Sequence, residues 1–239
     1  MHTFELPEEI KARVAERVGQ AHPFAALAPV RTALVVIDMQ NYFMKEGYMG
    51  EVPMAREIVP GVNRLADAVR SAGGHVVWIQ NSTNNTRQSW SVFHEDLLSP
   101  QKQKLRYATL AEEHEGHELW PALDVRTQDA KIIKKRFSAF IQGSSNLDSY
   151  LRERGFDTLL IAGTATNVCC ESSARDAMML NYRKVMVSDA LATYTDAEHA
   201  ASLMAFYSIF GDVLTIDETI AALGSLAKEP GEKKQYEAA

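Results

Sequence analysis

Two unbroken apolar runs constrain the fold of this chain more than any other feature. Residues 33–37 are apolar throughout, residues 158–162 are apolar after Thr158, and neither run carries a charge. Such runs are typical of parallel strands that are buried on both faces. Further strand-like segments lie at 75–80, 130–134, 184–188 and 213–216. Helix-like segments lie at 6–18, 60–71, 146–154, 173–180 and 195–210. A final helix-like segment follows the last strand and ends near 226. The alternation predicts an α/β fold: a doubly wound, mainly parallel six-stranded sheet with helices on both faces.

The length and composition of the chain agree with one large core. With 239 residues, of which 46% are hydrophobic, the chain can bury a single α/β domain of common size. We expect this domain to span 30–227, after an N-terminal helix and linker at 1–29. A charged, flexible tail is expected at 228–239.

Charge and hydropathy argue against several classes of protein. A formal net charge of −6 disfavours a surface that binds nucleic acid or anionic membranes. No apolar run approaches the roughly 20 residues that span a bilayer, and the first residues lack the pattern of a signal peptide. We therefore expect a cytoplasmic protein with a small-molecule substrate and no nucleic-acid or membrane partner.

Two adjacent cysteines follow the second apolar run. Cys169 and Cys170 lie between a strand that ends at Ala162 and a helix that begins near Ser173. Free N–H groups and a positive dipole at a helix start favour a thiolate over a thiol, which is typical of a nucleophile loop. Two cysteines are too few for a closed zinc site. The alternative is that both are small, inert core residues.

A carboxylate ends the first apolar run. Asp38 follows 33–37 directly, and ligands of open α/β sheets bind at the carboxyl ends of the strands. This position favours a role for Asp38 in binding or catalysis. The alternative is that Asp38 caps the turn that follows the strand.

A basic, aromatic turn follows the short strand 130–134. Lys134 begins the sequence Lys-Lys-Arg-Phe-Ser-Ala-Phe, which includes Phe137 and Phe140. A solvated run of charges is one interpretation. A pocket wall explains better why two aromatic residues follow three basic ones.

Asp38, Lys134 and Cys169 each fall at or just beyond the carboxyl end of a predicted strand. In a doubly wound sheet these ends share one edge, so the three side chains can meet there. Three segments around these residues carry a family resemblance, and they lie at 35–41, 134–140 and 163–169. They resemble the motifs of the isochorismatase-like cysteine hydrolases, whose catalytic triad is Asp, Lys and Cys. The resemblance covers roughly residues 30 to 225 and implies that these three residues are catalytic.

Within this family, the motifs resemble most those of ureidoacrylate amidohydrolases. Other members cleave biuret, triuret, N-carbamoylsarcosine or nicotinamide. The nicotinamidase branch carries an Asp-x-His pattern and a further His for a metal near the end of the second strand. This chain has Gln-Asn-Ser-Thr at 80–83, and the next histidine is His94. The resemblance therefore implies amide chemistry with no metal and no cofactor.

The resemblance also implies a mechanism. Asp38 takes the thiol proton of Cys169, Lys134 holds Asp38 and stabilises the thiolate, and the sulfur attacks a carbamoyl or amide carbonyl. The oxyanion is bound by the backbone N–H groups of Ala165 and Cys169, with a cis peptide at Thr164–Ala165. Water then hydrolyses the thioester intermediate.

Five further residues are candidate substrate contacts. Asn41, Gln80 and Asn81 lie at the same sheet edge and can both donate and accept hydrogen bonds, as a planar ureido compound requires. Trp90 or Phe137 can cover the ligand. The alternatives are that Asn41 caps a turn and that Trp90 is a subunit contact.

The charge of the substrate stays open at this stage. A pocket for an acid needs a cation, and Arg87, Arg136 and Arg175 are the candidates in the sequence. Ureidoacrylate is favoured, with biuret and triuret close behind.

The predicted function is cysteine-dependent hydrolysis of a C–N bond in a small linear ureido or carbamoyl compound, with release of ammonia. One alternative is another small amide, such as an N-carbamoyl amino acid or a nicotinamide-like compound. The other is a non-catalytic thiol redox or interaction protein of the same fold. On family grounds we expect a homo-oligomer, a dimer or a tetramer.

Overall fold

The computed structural model describes residues 2–226 and is built on one central sheet. Its strands are β1 Thr32–Ile37, β2 His75–Asn81, β3 Ala130–Lys134, β4 Thr158–Thr164, β5 Arg183–Ala192 and β6 Asp212–Leu214. All neighbouring strands are parallel, in the order β3-β2-β1-β4-β5-β6. This confirms the predicted six-stranded, doubly wound α/β fold. The tail predicted at 228–239 lies outside the described residues.

The helices alternate with the strands along the chain. They are α1 Glu8–Val18, α2 Asn41–Met44, α3 Met54–Glu57, α4 Val59–Ser71, α5 Pro100–Thr109, α6 Leu147–Glu153, α7 Glu171–Met179, α8 Asp196–Ile209 and α9 Ile216–Leu226. The N-terminus of α8 is capped, because Thr195 Oγ1 accepts a hydrogen bond from Glu198 N at 3.2 Å, as is typical of the pattern Thr-x-x-Glu.

Several element boundaries differ by a few residues from those predicted, and two of these differences are at β5 and β6. Strand β5 continues past Ser188 to Ala192, because its second half pairs with Gly163 and Thr164 after a shift in register. The last strand ends at Leu214, and Ile216 begins α9 instead of closing the strand. Both differences arise from pairing and packing that a single segment does not encode.

The alternation of side chains along β1 explains why its sequence is apolar throughout. Leu34 and Val36 face a layer that contains α4 and α9. Ala33, Val35 and Ile37 face the opposite layer, which contains α1, α6, α7 and α8. Because both faces of the strand are covered, every position from Ala33 to Ile37 is buried.

The N-terminal segment packs onto the same unit. Phe4 and Val14 belong to the core layer that also contains α7 and α8. The imidazole of His2 stacks on that of His199 with ring centroids 4.5 Å apart. Its Nε2 accepts a hydrogen bond from Thr193 N at 3.0 Å. Residues 2–14 are therefore packed against the strand-helix domain.

Strands β1 and β4 approach each other closely near their carboxyl ends. Ile37 pairs with Gly163, whose φ is 111°. A Cβ atom at position 163 would lie 2.1 Å from Ile37 O, so only glycine fits both the space and the backbone conformation. This contact fixes the distance between the end of β1 and the loop that follows β4.

A long connection, 82–129, links β2 to β3 and covers the carboxyl edge of the sheet. It contains α5, a π-helical turn at Val92–Asp96 and a 3₁₀ turn at Glu115–His117. Leu119 forms an antiparallel bridge with Gln40, next to the end of β1. Within residues 2–226 no helix combines the length and the apolar character needed to cross a bilayer.

Candidate active site

The end of β1 and the end of β3 carry a buried ion pair. Lys134 Nζ lies 2.8 Å from Asp38 Oδ2, and neither side chain is exposed to solvent. Lys134 Nζ also donates a hydrogen bond to Arg136 O at 3.0 Å. Two opposite charges held this closely in the protein interior are strongly coupled. The structure thus brings together two of the three predicted catalytic residues.

The backbone of Asp38 turns the carboxylate away from the direction of the strand. Its φ is 56°, in the left-handed region, and its N–H donates to Ile79 O at 3.0 Å. Asp tolerates this conformation better than most residues. The turn explains how a residue directly after β1 reaches Lys134, which is two strands away in the sheet.

Cys169 lies in a π-helical turn, Thr166–Cys170, between β4 and α7. The peptide bond between Thr164 and Ala165 is cis, as the family resemblance implies. Ala165 O accepts hydrogen bonds from Val168 N at 3.1 Å and Cys170 N at 3.2 Å. These contacts hold the turn in place. π-Helical turns of this kind occur frequently at functional sites.

The two cysteines have different surroundings. Cys169 is 5% exposed, and its side chain is within hydrogen-bonding reach of Asp38 and Lys134. Cys170 is fully buried, and its Sγ lies 3.9 Å from Ala162 O. Of the two thiols, Cys169 therefore faces the ion pair.

Burial and neighbouring charges set the protonation of the site. Burial, followed by the charge of Asp38, raises the pKa of Cys169 to about 12, although the Lys134 charge opposes this. Burial also raises the pKa of Asp38. Burial works against the charge of Lys134, but Asp38 and Cys169 outweigh it, so the pKa of Lys134 lies above its ordinary value. Burial thus opposes formation of the thiolate, whereas the charge of Lys134 favours it.

The three predicted amide contacts meet near the end of β2. Asn41 Nδ2 donates to Glu115 O at 2.8 Å, and Gln80 Nε2 donates to His117 O at 2.8 Å. Both amides therefore hold the connection 82–129 in place. Asn81 Nδ2 donates to Arg136 O at 3.4 Å, which places this amide beside the carbonyl that Lys134 also contacts. Of the three, Asn81 lies nearest to the ion pair.

The two predicted aromatic contacts belong to one cluster. Trp90 stacks on Phe93 with ring centroids 4.5 Å apart, and it meets Phe137 edge-on at 4.8 Å. The guanidinium of Arg136 lies 5.4 Å from the Trp90 ring. We call Trp90, Phe93 and Phe137 the aromatic cluster. It joins the connection 82–129 to the turn after β3.

The three arginines singled out in the sequence lie in different places. Arg175 pairs with Glu171 at 2.5 Å and packs on Phe210. Arg87 is exposed and lies over the Tyr107 ring. Arg136 donates to Ser89 O at 2.6 Å.

A fourth arginine, Arg106 of α5, is 5% exposed and is not among the candidates that the sequence indicates. Its positive charge favours the ionised forms of Asp38 and Cys169. It therefore opposes part of the rise that burial causes in their pKa values. Only its place in the polar connection 82–129 could have drawn attention to it.

The sequence pattern at 80–83 argues against a bound metal. Within residues 2–226, no three His, Cys, Asp or Glu side chains are grouped so that they could hold a metal ion. The histidine nearest to this pattern on its C-terminal side, His94, is buried, and its Nε2 pairs with Thr86 Oγ1 at 3.2 Å. The absence of a metal stays a prediction.

The profile of the isochorismatase domain matches residues 32–218. The chain belongs to the isochorismatase family. Membership of this family confirms the resemblance seen in the three motifs, and the matched range includes every residue of the site described above. The chain is thus a hydrolase of that family, as the sequence predicted.

Known members of the isochorismatase family resemble the chain over most of its length. The ureidoacrylate amidohydrolase RutB of Acinetobacter baylyi is 35% identical over 210 residues, which cover 82% of this chain and 85% of RutB. A probable inactive nicotinamidase of Arabidopsis thaliana is 34% identical, covering 78% of this chain and 93% of its own. The crystal structure of a cysteine hydrolase from Pseudomonas syringae superposes with a TM-score of 0.73 at 29% identity, covering 83% and 95%. The chain is thus similar both to an amidohydrolase and to a protein described as probably inactive.

Proposed function

We propose that this chain is a cysteine-dependent amidohydrolase that cleaves a C–N bond of a small linear ureido or carbamoyl compound and releases ammonia. The observation that carries the proposal is the buried Asp38–Lys134 pair, 2.8 Å across, beside the thiol of Cys169. The similarity to RutB supports a ureido compound as substrate. Ureidoacrylate is our first candidate, followed by biuret and triuret.

The proposed reaction begins with a protonated thiol, because the pKa of Cys169 is raised to about 12. Asp38 takes the thiol proton as the sulfur attacks the carbonyl carbon, and the electron pair of the C=O bond moves to oxygen. Burial raises the pKa of Asp38, which makes its carboxylate a stronger base than an exposed one. Lys134 stays charged and keeps the carboxylate in place.

The tetrahedral intermediate then collapses. The C–N bond breaks, Asp38 gives its proton to the nitrogen, and ammonia leaves behind a thioester. Asp38 next takes a proton from water as the water oxygen attacks the thioester carbon. The C–S bond breaks, the proton returns from Asp38 to the sulfur, and the acid product is released. No cofactor takes part in these steps.

The oxyanion of both intermediates needs donors that are already oriented. We assign this role to the backbone N–H groups of Ala165 and Cys169, at the two ends of the turn that follows β4. The hydrogen bonds that Ala165 O accepts from Val168 N and Cys170 N support this assignment, because they fix the turn before substrate binds. The aromatic cluster covers the planar ligand.

Ammonia release tests the proposal directly. The panel consists of ureidoacrylate, biuret, triuret, an N-carbamoyl amino acid and nicotinamide, each also assayed with the variant Cys169→Ser. We expect turnover of at least one ureido compound by the unchanged chain and none by the variant. Good activity on nicotinamide, with no turnover of any ureido compound, would overturn the substrate class. Turnover that persists in Cys169→Ser would overturn the mechanism.

The pH dependence of kcat/KM tests the role of Asp38. Because the pKa of Asp38 is raised, the ionised base is lost as the pH falls, and it is lost at a higher pH than for an ordinary Asp. We therefore expect full activity above this raised pKa and an acid limb displaced upward from the ordinary range near 3.8. An activity that is undiminished down to pH 4 would argue against Asp38 as the base.

Two wider expectations belong to the same proposal. The chain acts in the cytoplasm on a small molecule, and it forms a dimer or a tetramer. Light scattering after size-exclusion chromatography measures the second, and a monomer at micromolar concentration would contradict it.

A further inference from the structure

Arg106 is a buried cation without an acidic partner. Its side chain is 5% exposed, yet within residues 2–226 no carboxylate lies within ion-pair distance of its guanidinium. Its protein contacts are weak. Nη1 donates to Tyr42 OH at 3.3 Å, and Nη2 donates to Asn81 Oδ1 at 3.5 Å. Nε is buried and has no hydrogen-bond partner.

Such an arrangement is costly for a structural arginine. A guanidinium cannot lose its charge in a protein, and a buried charge is normally paired. The rings of Tyr42 and Phe93 lie 5.5 Å and 5.2 Å from the guanidinium carbon, so they offset only part of this cost. The free donor edge of Arg106 is suited to an anion that comes from outside the chain.

Arg106 is connected to the catalytic pair through one short path. Lys134 Nζ donates to Arg136 O, which also accepts from Asn81 Nδ2. The other end of the same amide, Asn81 Oδ1, accepts from Arg106. Only Asn81 and one carbonyl therefore separate the guanidinium from the ammonium group that holds Asp38. An anion bound by Arg106 lies at the reaction centre.

The charges of the site favour an anionic substrate. Asp38 and Lys134 cancel, and the Cys169 thiol is neutral at rest because its pKa is raised. The nearby imidazole of His94 is neutral as well, since burial lowers its pKa to about 4. The positive charge of Arg106 therefore remains uncompensated until substrate binds.

We propose that Arg106 binds the carboxylate of the substrate, so that the substrate is a ureido or carbamoyl acid. The planar fork of a guanidinium matches a carboxylate in a bidentate geometry. This inference rests on the proposed function, because it requires that the other end of the substrate reaches Cys169. The inference favours ureidoacrylate, which is an acid, over the neutral compounds biuret and triuret as the substrate.

A pair of substrates that differ in charge tests the inference. The pair is ureidoacrylate and its neutral N-methylamide, and ammonia release gives kcat and KM for each. For Arg106→Gln we expect KM of the acid to rise roughly 10- to 150-fold, while the values for the N-methylamide change less than about threefold. Arg106→Lys should restore part of the loss. The matched control is Arg87→Gln, since Arg87 is exposed in the same connection, and it should leave both substrates unaffected.

Two outcomes of this experiment would overturn the inference. An equal loss for the acid and the N-methylamide would show that Arg106 is structural. An unchanged KM for the acid would show that it does not bind the carboxylate.

A second measurement does not depend on catalysis. In a Cys170→Ser background, Cys169 is alkylated with anionic iodoacetate or neutral iodoacetamide, and mass spectrometry follows the reaction. We expect Arg106→Gln to lower the ratio of the iodoacetate rate to the iodoacetamide rate by roughly fivefold or more, while Arg87→Gln leaves it unchanged. An unchanged ratio in Arg106→Gln would overturn the inference. A lowered ratio in a chain that hydrolyses no ureido compound would support Arg106 as the anion site and reject the proposed function.

Discussion

The carboxyl edge of the sheet and the connection 82–129 position their charged residues by different means. At the edge, Lys134 is the last residue of β3 and Asp38 directly follows β1, so the register of the strands fixes both. In the connection, Arg106 reaches the same site because α5 packs inward and its guanidinium lies beside Tyr42 and Phe93.

This difference indicates which region can change without loss of the reaction and which region can change the choice of substrate. The reacting groups depend on the sheet, whose core is buried on both faces, and a change there affects folding as well as chemistry. The connection can be altered with less effect on the core. We therefore assign the reaction to the edge and the choice of substrate to the connection.

The largest expected effect is at the nucleophile. Cys169→Ser should lower kcat about 10⁴-fold or more, because serine at this site lacks a sulfur nucleophile. Cys170→Ser should keep most of the activity, since that side chain is buried toward Ala162 O. Steady-state kinetics and thermal melting of both variants measure this. The reverse ranking would mean that Cys170, and not Cys169, is the nucleophile.

The next effect separates the buried lysine from its neighbour. Lys134→Ala leaves Asp38 buried and unpaired, so we expect the free energy of unfolding to fall by about 3–5 kcal/mol. Alkylation of Cys169 near neutral pH should also slow, because the Lys134 charge lowers the pKa of the thiol. Urea unfolding and alkylation kinetics measure the two effects.

Lys135→Ala is the control for this comparison. It lies next in sequence but has no ion pair within the described part of the chain, and it should change the stability by less than about 0.5 kcal/mol. Equal effects of the two substitutions would mean that a diffuse positive field acts at the edge, with no specific pair.

A smaller effect is expected in the connection. Trp90→Ala removes one of the three rings of the aromatic cluster, each of which contacts the other two. We expect KM to rise about tenfold and kcat to change little, since in our proposal the ring covers the ligand and does not touch the reacting bond. Val92→Ala, an exposed position in the same segment, is the control. A loss confined to kcat would move the aromatic cluster into the reaction itself.

The smallest expected effect is that of a chelator. Dialysis against a chelator should leave kcat/KM unchanged, whereas a thiol-alkylating reagent should abolish it. Among residues 2–226 no group of His, Cys, Asp and Glu side chains could hold a metal ion, so we expect the reaction at the edge to proceed without one. Loss of activity to the chelator, restored by zinc or manganese, would contradict this prediction.

The catalytic edge is predictable from the sequence because strands have a simple geometry. A residue that ends a parallel strand lies at the carboxyl edge, so the pattern of strands puts Asp38 and Lys134 at one edge of the sheet, where they can meet. The family resemblance of the segments 35–41, 134–140 and 163–169 then selects Lys134 over Lys135 as the residue in the site.

Other features could not be predicted in this way. The side chain of Arg106 enters the site because α5 docks in one particular orientation, which depends on distant residues such as Tyr42. The effect of burial on the pKa of Cys169 could not be predicted for a related reason, since the helix dipole is local while burial is a property of the whole fold. The extension of β5 to Ala192 likewise depends on pairing with Thr164.

The absence of a side chain at position 163 has a consequence for how this enzyme can change. Ile37 O, which a Cβ there would approach to 2.1 Å, belongs to the residue before Asp38. Ile37 and Gly163 are also register partners in the sheet, so any side chain at 163 would push β1 and β4 apart. The separation would act at the point where the chain enters Asp38 on one strand and the loop of Cys169 on the other. A residue other than glycine at 163 would therefore disturb the sheet and the spacing of the site together.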